Sequence, residues 1–169
     1  MKKFVFDACS LIYLTKIQLK EKLPLLGEII VSLTVKNELL ADVEKFREVK
    51  TLKKNINKKL IKENKSNIEN IFSSKKLGKG EKETIEICLK VKGIPVTDDH
   101  KALNFALSLG LKPKTSEVII LDLFKENIIN YQEFKLFLKE LAVIKALKPE
   151  ILSLFKNKAK GIINNIKKK

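Results

Sequence analysis

Carboxylates recur in this chain where a strand gives way to a helix. Asp7 follows the β-prone run Lys3 to Phe6 and precedes ACSLIYLTKI, while Asp98 and Asp99 follow IPVT and precede HKALNFALSLG. Glu38 lies on the helix after EIIVS, and Glu81 and Glu83 lie in the first turn of the helix opened by LGKG. Each acid has an ordinary structural use. Asp is a good helix N-cap, worth about 1 kcal/mol, and an acid in a first helical turn complements the macrodipole by roughly 0.3–1 kcal/mol. One of Asp98 and Asp99 suffices to cap the helix that follows, which leaves the other without that need. Brought together, several of these groups would repel one another, raising their pKa values or disrupting the fold. A divalent cation resolves that conflict, and an oxygen-only donor set suits Mg2+ or Mn2+, with positions left for water and a substrate phosphate. Such a metal activates water, binds a phosphate oxygen and stabilises the leaving oxyanion. The chemistry is phosphodiester hydrolysis without a histidine or a covalent nucleophile.

The elements that must carry these acids alternate between strand and helix. Lys3 to Phe6, EIIVS and IPVT are short, apolar strands, and Leu11, Leu14 and Ile17 fall at helical spacing after the first. Pro24 sits in a turn between Leu23 and Gly27, and Thr34 is placed to cap the helix bearing Glu38. Gly78 and Gly80 predict a tight loop leading into a helix of about three turns that Gly93 closes. Such alternation predicts an α/β fold, a three-layer α/β/α arrangement with a mostly parallel central sheet. In that class ligands bind outside the carboxyl ends of the strands, where Asp7, Asp98 and Asp99 fall.

Between Val49 and Lys76 the chain is rich in lysine and asparagine, and thin apolar stripes predict one or two surface helices. Lys53, Lys54, Lys58 and Lys59, with Lys62 and Lys65 beyond them, form either a solvated face or a surface for phosphates that supplies affinity without sequence preference. After the central acids, Leu111 to Pro113 reads as a short strand. Thr115 and Ser116 then offer hydroxyls that cap the next helix or hold a pocket carboxylate, with Val118, Leu121 and Phe124 facing inward. Tyr131 to Leu147 and the segment from Pro149 form two further helices, the last ending in a polybasic, frayed tail.

Composition sets the outer bounds. The 169 residues suit one domain, and 44% hydrophobic against 33% charged residues fits a globular chain. A net charge of +15 favours nucleic acid, an anionic membrane surface or an acidic protein as partner. Cys9 and Cys88 lie far apart in apolar surroundings, as small core residues do, and the single His100 makes a Ser-His-Asp arrangement improbable. No stretch approaches the ~20 apolar residues of a membrane span, and Asp7 and Lys16 interrupt what would be a signal-peptide core. A cytoplasmic location is the expectation.

FVFDACSLIYL with Asp7, VKNELL with Glu38, LGKGEKETIEIC with Glu81 and Glu83, and IPVTDDHKA with Asp98 and Asp99 together resemble, in order and spacing, the acidic motifs of PIN-domain ribonucleases. The resemblance runs from about Lys3 to Asn127, and ENIINYQEFKLFLKEL resembles the C-terminal helix of a VapC-like archaeal and bacterial subgroup. It implies a parallel sheet flanked by helices and acids that hold Mg2+ or Mn2+ for RNA cleavage. It implies Asp7, Glu38, Glu81 and Asp99 as the catalytic set, with Glu83 and Asp98 as further or alternative metal ligands. A small hydroxyl residue often stands two positions after the first acid; here that position is Cys9, with Ser10 beside it, so the candidates for the supporting polar role are Ser10, Thr115 or Ser116. Many such proteins are toxins neutralised by an antitoxin, and many are homodimers. Residues 1–147 would form the nuclease domain and 148–169 its basic C-terminal helix or tail.

Overall fold

Two strands, β1 (Lys3–Phe6) and β2 (Glu28–Ser32), are buried at every position after their first residue, so both of their faces are covered. That pattern marks the interior of a parallel sheet. In the computed structural model, which describes residues 1–41, 61–64 and 77–167, they are joined by β3 (Ile61–Asn64) and β4 (Ile94–Val96) in the order β3-β2-β1-β4. All three pairings are parallel, with Phe6 beside Val31 and Val96. The carboxyl ends of the strands therefore share one edge. The flanking helices complete the expected α/β/α arrangement.

The chain forms two compact units, Met1–Ser116 and Glu117–Lys169. The first holds the sheet with α1 (Ala8–Lys16), α2 (Leu33–Ala41), α3 (Lys79–Val91) and α4 (His100–Ser108). Helix α3 is buried on two sides. Ile87 and Cys88 pack with Val5 and Ile30 of the sheet, and Ile85 packs with Leu77, Ala102 and Ala106. Each large apolar side chain buried this way contributes about 1.5–3 kcal/mol, enough to fix the helix that carries Glu81 and Glu83.

The second unit holds α5 (Ser116–Lys125, apart from its first residue), α6 (Tyr131–Lys145) and α7 (Pro149–Lys167). Phe124, Tyr131 and Phe134 pack ring to ring at 5.3–6.3 Å between centroids. Asn130 and Glu133 form a reciprocal capping box at the start of α6. Glu117, buried, pairs with the Lys145 ammonium.

Several sequence expectations change. The lysine-rich stretch contains a strand, β3, where helices were expected; its Ile61 is buried, and its Glu63 and Lys62 pair with Lys36 and Glu28 across to the neighbouring elements. Cross-element pairing, invisible in a local pattern, turns a polar segment into an edge strand. The strand expected at Leu111 to Pro113 reduces to one bridge, Lys114 beside Val96. Ser32, rather than Thr34, caps α2, its hydroxyl accepting from Val35 N–H at 3.1 Å. Lys92, not Gly93, takes the left-handed turn that ends α3, with φ 52°. Gly93 follows in a tight space, where a β-carbon would stand 3.0 Å from Val5 Cγ2 and that methyl would have to give way slightly. Cys9 is exposed while Cys88 is buried. In α5 the buried apolar residues are Ile119, Ile120, Leu123 and Phe124; Phe124 faces inward as expected, while Val118 and Leu121 are only half-buried. Helix α7 runs to Lys167, and the last two lysines of the expected polybasic tail lie outside the described residues.

Candidate functional site

Asp7 leaves the carboxyl end of β1 and is held from several sides. Its backbone N–H donates to Val96 O at 3.0 Å, and its Oδ1 accepts from Ser10 N–H at 2.8 Å, capping α1. At 5% exposure its carboxyl is pushed above the usual carboxylate range by burial, helped by the negative charge of Asp98. The Thr97 hydroxyl and the Ser10 donors act in the opposite direction. Thr97, 1% exposed at the end of β4, also accepts from Asp99 N–H at 3.2 Å, so one hydroxyl ties Asp7 to the chain turn of the acid pair. The Ser10 hydroxyl is fully buried without a hydrogen bond of good geometry.

The adjacent acids Asp98 and Asp99 have different tasks. Asp99 is exposed and its Oδ1 caps α4, accepting from Ala102 N–H at 2.8 Å. Asp98 is half-buried, with Oδ1 accepting from Ser116 N–H at 3.0 Å and Oδ2 from the Ser116 hydroxyl. Of the pair, Asp98 is the one whose charge acts on Asp7. Thr115, next to this clamp, is half-buried.

Glu38 projects from α2 toward the start of α3. Partial burial of its carboxyl raises its pKa, and the charges of Glu81, Asp7 and Glu83 raise it further. The two glycines of LGKG explain how the acids approach. Gly78 has an extended conformation, φ −65° and ψ 165°, which any residue could adopt. A β-carbon on it would meet Glu81 Oε2 at 2.2 Å, and one on Gly80 would meet Glu38 Oε1 at 3.2 Å. The glycines are there for carboxylate space, not for the backbone freedom expected of a tight loop. Glu83, 5% exposed, is turned toward α2, where Thr34 donates to both of its oxygens.

Asp98 thus acts on Asp7, and Asp7, Glu81 and Glu83 act on Glu38, which links the acids through Asp7 at the carboxyl edge of the sheet. Among the described residues, no three His, Cys, Asp or Glu side chains are drawn in around a single point. The donor chemistry nonetheless fits a hard cation that keeps most of its water, because Mg2+ is commonly held by one or two carboxylates and solvent. Thr34, Thr97 and the Tyr13–Cys9 pair were not marked as site residues by sequence reasoning. Tyr13, one turn beyond Cys9 on α1, has its phenol pushed up to about 12 by its hydrogen bond with Cys9, by burial, and by the charges of Cys9, Asp98 and Asp7. A threonine just before an acid pair was the one available signal for Thr97, and the one-turn spacing of Cys9 and Tyr13 was the signal for that pair; Thr34 depends on a contact between two helices. Lys53, Lys54, Lys58, Lys59 and Lys65 lie outside the described residues. Lys62 is described, and its ammonium pairs with Glu28 at 3.1 Å.

A family model described as a PIN domain matches residues 3–161 of the chain. No curated protein gives a match.

Proposed function

The chain belongs to the PIN-domain family, a nuclease-type fold, and from that premise we propose that it is a metal-dependent endoribonuclease that hydrolyses RNA phosphodiester bonds. The observation that carries this function is the gathering of acids around two raised carboxyls: burial, with the charge of Asp98 beside it, raises Asp7, and burial, with the charges of Glu81, Asp7 and Glu83, raises Glu38. Native proteins rarely retain such repulsion without a use for it. Asp7 and Asp98 would hold Mg2+ or Mn2+ on one side, with Glu38 and Glu81 on the other and Asp99 and Glu83 at the margin. When bound, the cation supplies charge neutralisation of the phosphate and a water of lowered pKa.

The chain's own residues supply the rest. Ser10 N–H and the Thr97 hydroxyl hold Asp7 in one rotamer, and Ser116 does the same for Asp98 with two donors. Fixed carboxylates lose little freedom when the reacting groups assemble. Glu38, exposed and more basic than an ordinary glutamate, is placed to accept a proton from the attacking water. Water oxygen bonds to phosphorus, one P–O ester bond breaks, and the leaving sugar oxygen takes a proton from solvent. The net charge of +15 favours an RNA backbone around an acidic centre. The role of Lys53, Lys54, Lys58 and Lys59 as that surface is part of the proposal, as are an antitoxin-like partner, a homodimer and a toxin's biological role, which rest on the family resemblance.

A non-catalytic RNA- or protein-binding module is the alternative. It is favoured by the capping roles of Asp7 and Asp99, which need no metal. Incubating labelled single-stranded RNA with the purified chain in Mn2+ or in EDTA separates the two. Cleavage in Mn2+ alone supports the nuclease, whereas binding without turnover in both supports the module.

A further inference from the structure

Glu83 is a buried carboxylate on one helix with both oxygens held by a single residue of another. Thr34 Oγ1–H donates to Oε1 at 2.7 Å and Thr34 N–H donates to Oε2 at 3.2 Å. Thr34 lies in the first turn of α2, where backbone N–H groups have no partner within the helix. An acid from α3 therefore caps α2 from outside. Glu83 is 5% exposed, so the contact is shielded from water, and hydrogen bonds to a charged acceptor are the stronger kind.

What this joint aligns is visible one turn away on each helix. Glu38 lies four residues after Thr34, on the same side of α2, and Gly80 lies three residues before Glu83 on α3. Those two positions also meet, with the Glu38 carboxylate 3.2 Å from where a Gly80 β-carbon would stand. The Thr34–Glu83 clamp and the Glu38–Gly80 contact are successive rungs between the same two helices. Glu81 stands in the first turn of α3, next to Gly80, with its carboxylate turned back over Gly78. A slip of α2 along α3 would alter the distance between the Glu38 and Glu81 carboxylates.

We propose that Thr34 and Glu83 are a positioning pair that fixes α2 against α3 and so sets the Glu38–Glu81 spacing for a divalent cation. Glu83 acts through this joint rather than as a leading ligand. The role rests on the metal-dependent function proposed above, and it assigns to Glu83 and Thr34 a task separate from holding the metal.

The test is Mn2+ binding by calorimetry to the full chain without RNA, for wild type, Thr34→Val and Thr34→Ser, below the unfolding temperature of each. Valine keeps the shape and the N–H but removes the hydroxyl donor; serine restores it. Loss of a group that orients a ligand typically weakens metal binding by about 10–100-fold. Thr34→Val is expected to raise the Mn2+ Kd at least about tenfold, and Thr34→Ser to return it close to wild type. If Thr34→Val does not fold, Thr34→Ala carries the test, since it removes the same hydroxyl and leaves every carboxylate in place, and the same loss is expected. A wild-type Kd in the folded Thr34→Val or Thr34→Ala protein overturns the positioning role while leaving the nuclease intact. A wild-type chain that binds no Mn2+ overturns the metal-dependent function, and the positioning role with it.

Discussion

The carboxylate of Glu38 occupies the space that a side chain at Gly80 would take: a β-carbon there would stand 3.2 Å and 3.3 Å from its two oxygens and 3.4 Å from Val35 Cγ2. The glycine is helical and buried, so Ala would favour the helix itself by about 0.8–1.0 kcal/mol. Gly80→Ala should therefore leave the melting temperature unchanged or slightly higher. It should still displace Glu38, and misplacement of a catalytic group by even 1 Å can cost about 100-fold in rate. Thermal melting beside a metal-dependent cleavage assay checks this: stability kept with cleavage reduced at least about tenfold is expected, and unchanged cleavage would remove Glu38 from the site.

Asp7 is a buried acid with a raised pKa, and the sign of its effect on stability follows. Between its unfolded and folded pKa values the folded chain binds more protons than the unfolded one, so stability falls as pH rises through that window. Above the folded value the penalty is complete. Asn keeps the capping oxygen that accepts from Ser10 N–H and carries no charge. The metal-free Asp7→Asn protein should melt above wild type at neutral pH, by about 2–4 °C for each kcal/mol recovered in a chain of this size. The advantage should shrink as pH is lowered toward 4, near the unperturbed value of 3.8. Added Mn2+ should raise the melting temperature of wild type and not of the variant.

Ser116 holds Asp98 by its hydroxyl and its N–H, and only the first can be removed by mutation. Ser116→Ala should reduce Mn2+ affinity or cleavage by about 10–100-fold. It should cost about 1–3 kcal/mol of stability, because a hydrogen bond to a charged acceptor is lost. A denaturant titration and a Mn2+ titration on the same preparation read both effects.

Tyr13 should ionise only near pH 12. The hydrogen bond with Cys9 comes first among the causes, so Cys9→Ala should lower that value. Tyrosinate absorbance in Tyr13→Phe, Cys9→Ala and wild type identifies the late step and its dependence on the sulfur.

Much of the fold was legible because its signals are local. Lys3 to Phe6, Glu28 to Ser32 and IPVT are continuous apolar runs ended by acids or hydroxyls, and each became a buried parallel strand, although the last is only Ile94–Val96. The stretch IKEN carries no such run; it is a strand because β2 offers it partners from Ile29 to Ser32. The acids were legible by type and spacing, but their partners were not. Asp98 and Asp99 are neighbours of identical chemistry. Only the placement of Ser116, eighteen residues later, separates the clamped acid from the helix cap. In the same way, Glu83 and Thr34 are forty-nine residues apart, and nothing in either local pattern marks them as one joint.

Nuclease activity at this acid cluster is tested most directly by cleavage of labelled mixed RNA at low salt, comparing wild type with Asp7→Asn in Mn2+ and in EDTA, and measuring RNA binding by both proteins. The expected result is cleavage by wild type in Mn2+ alone, with Asp7→Asn folded, able to bind RNA and inactive. Equal metal-dependent cleavage by Asp7→Asn would contradict the site. RNA binding by both proteins with no cleavage by either would contradict the nuclease and leave a binding module in its place.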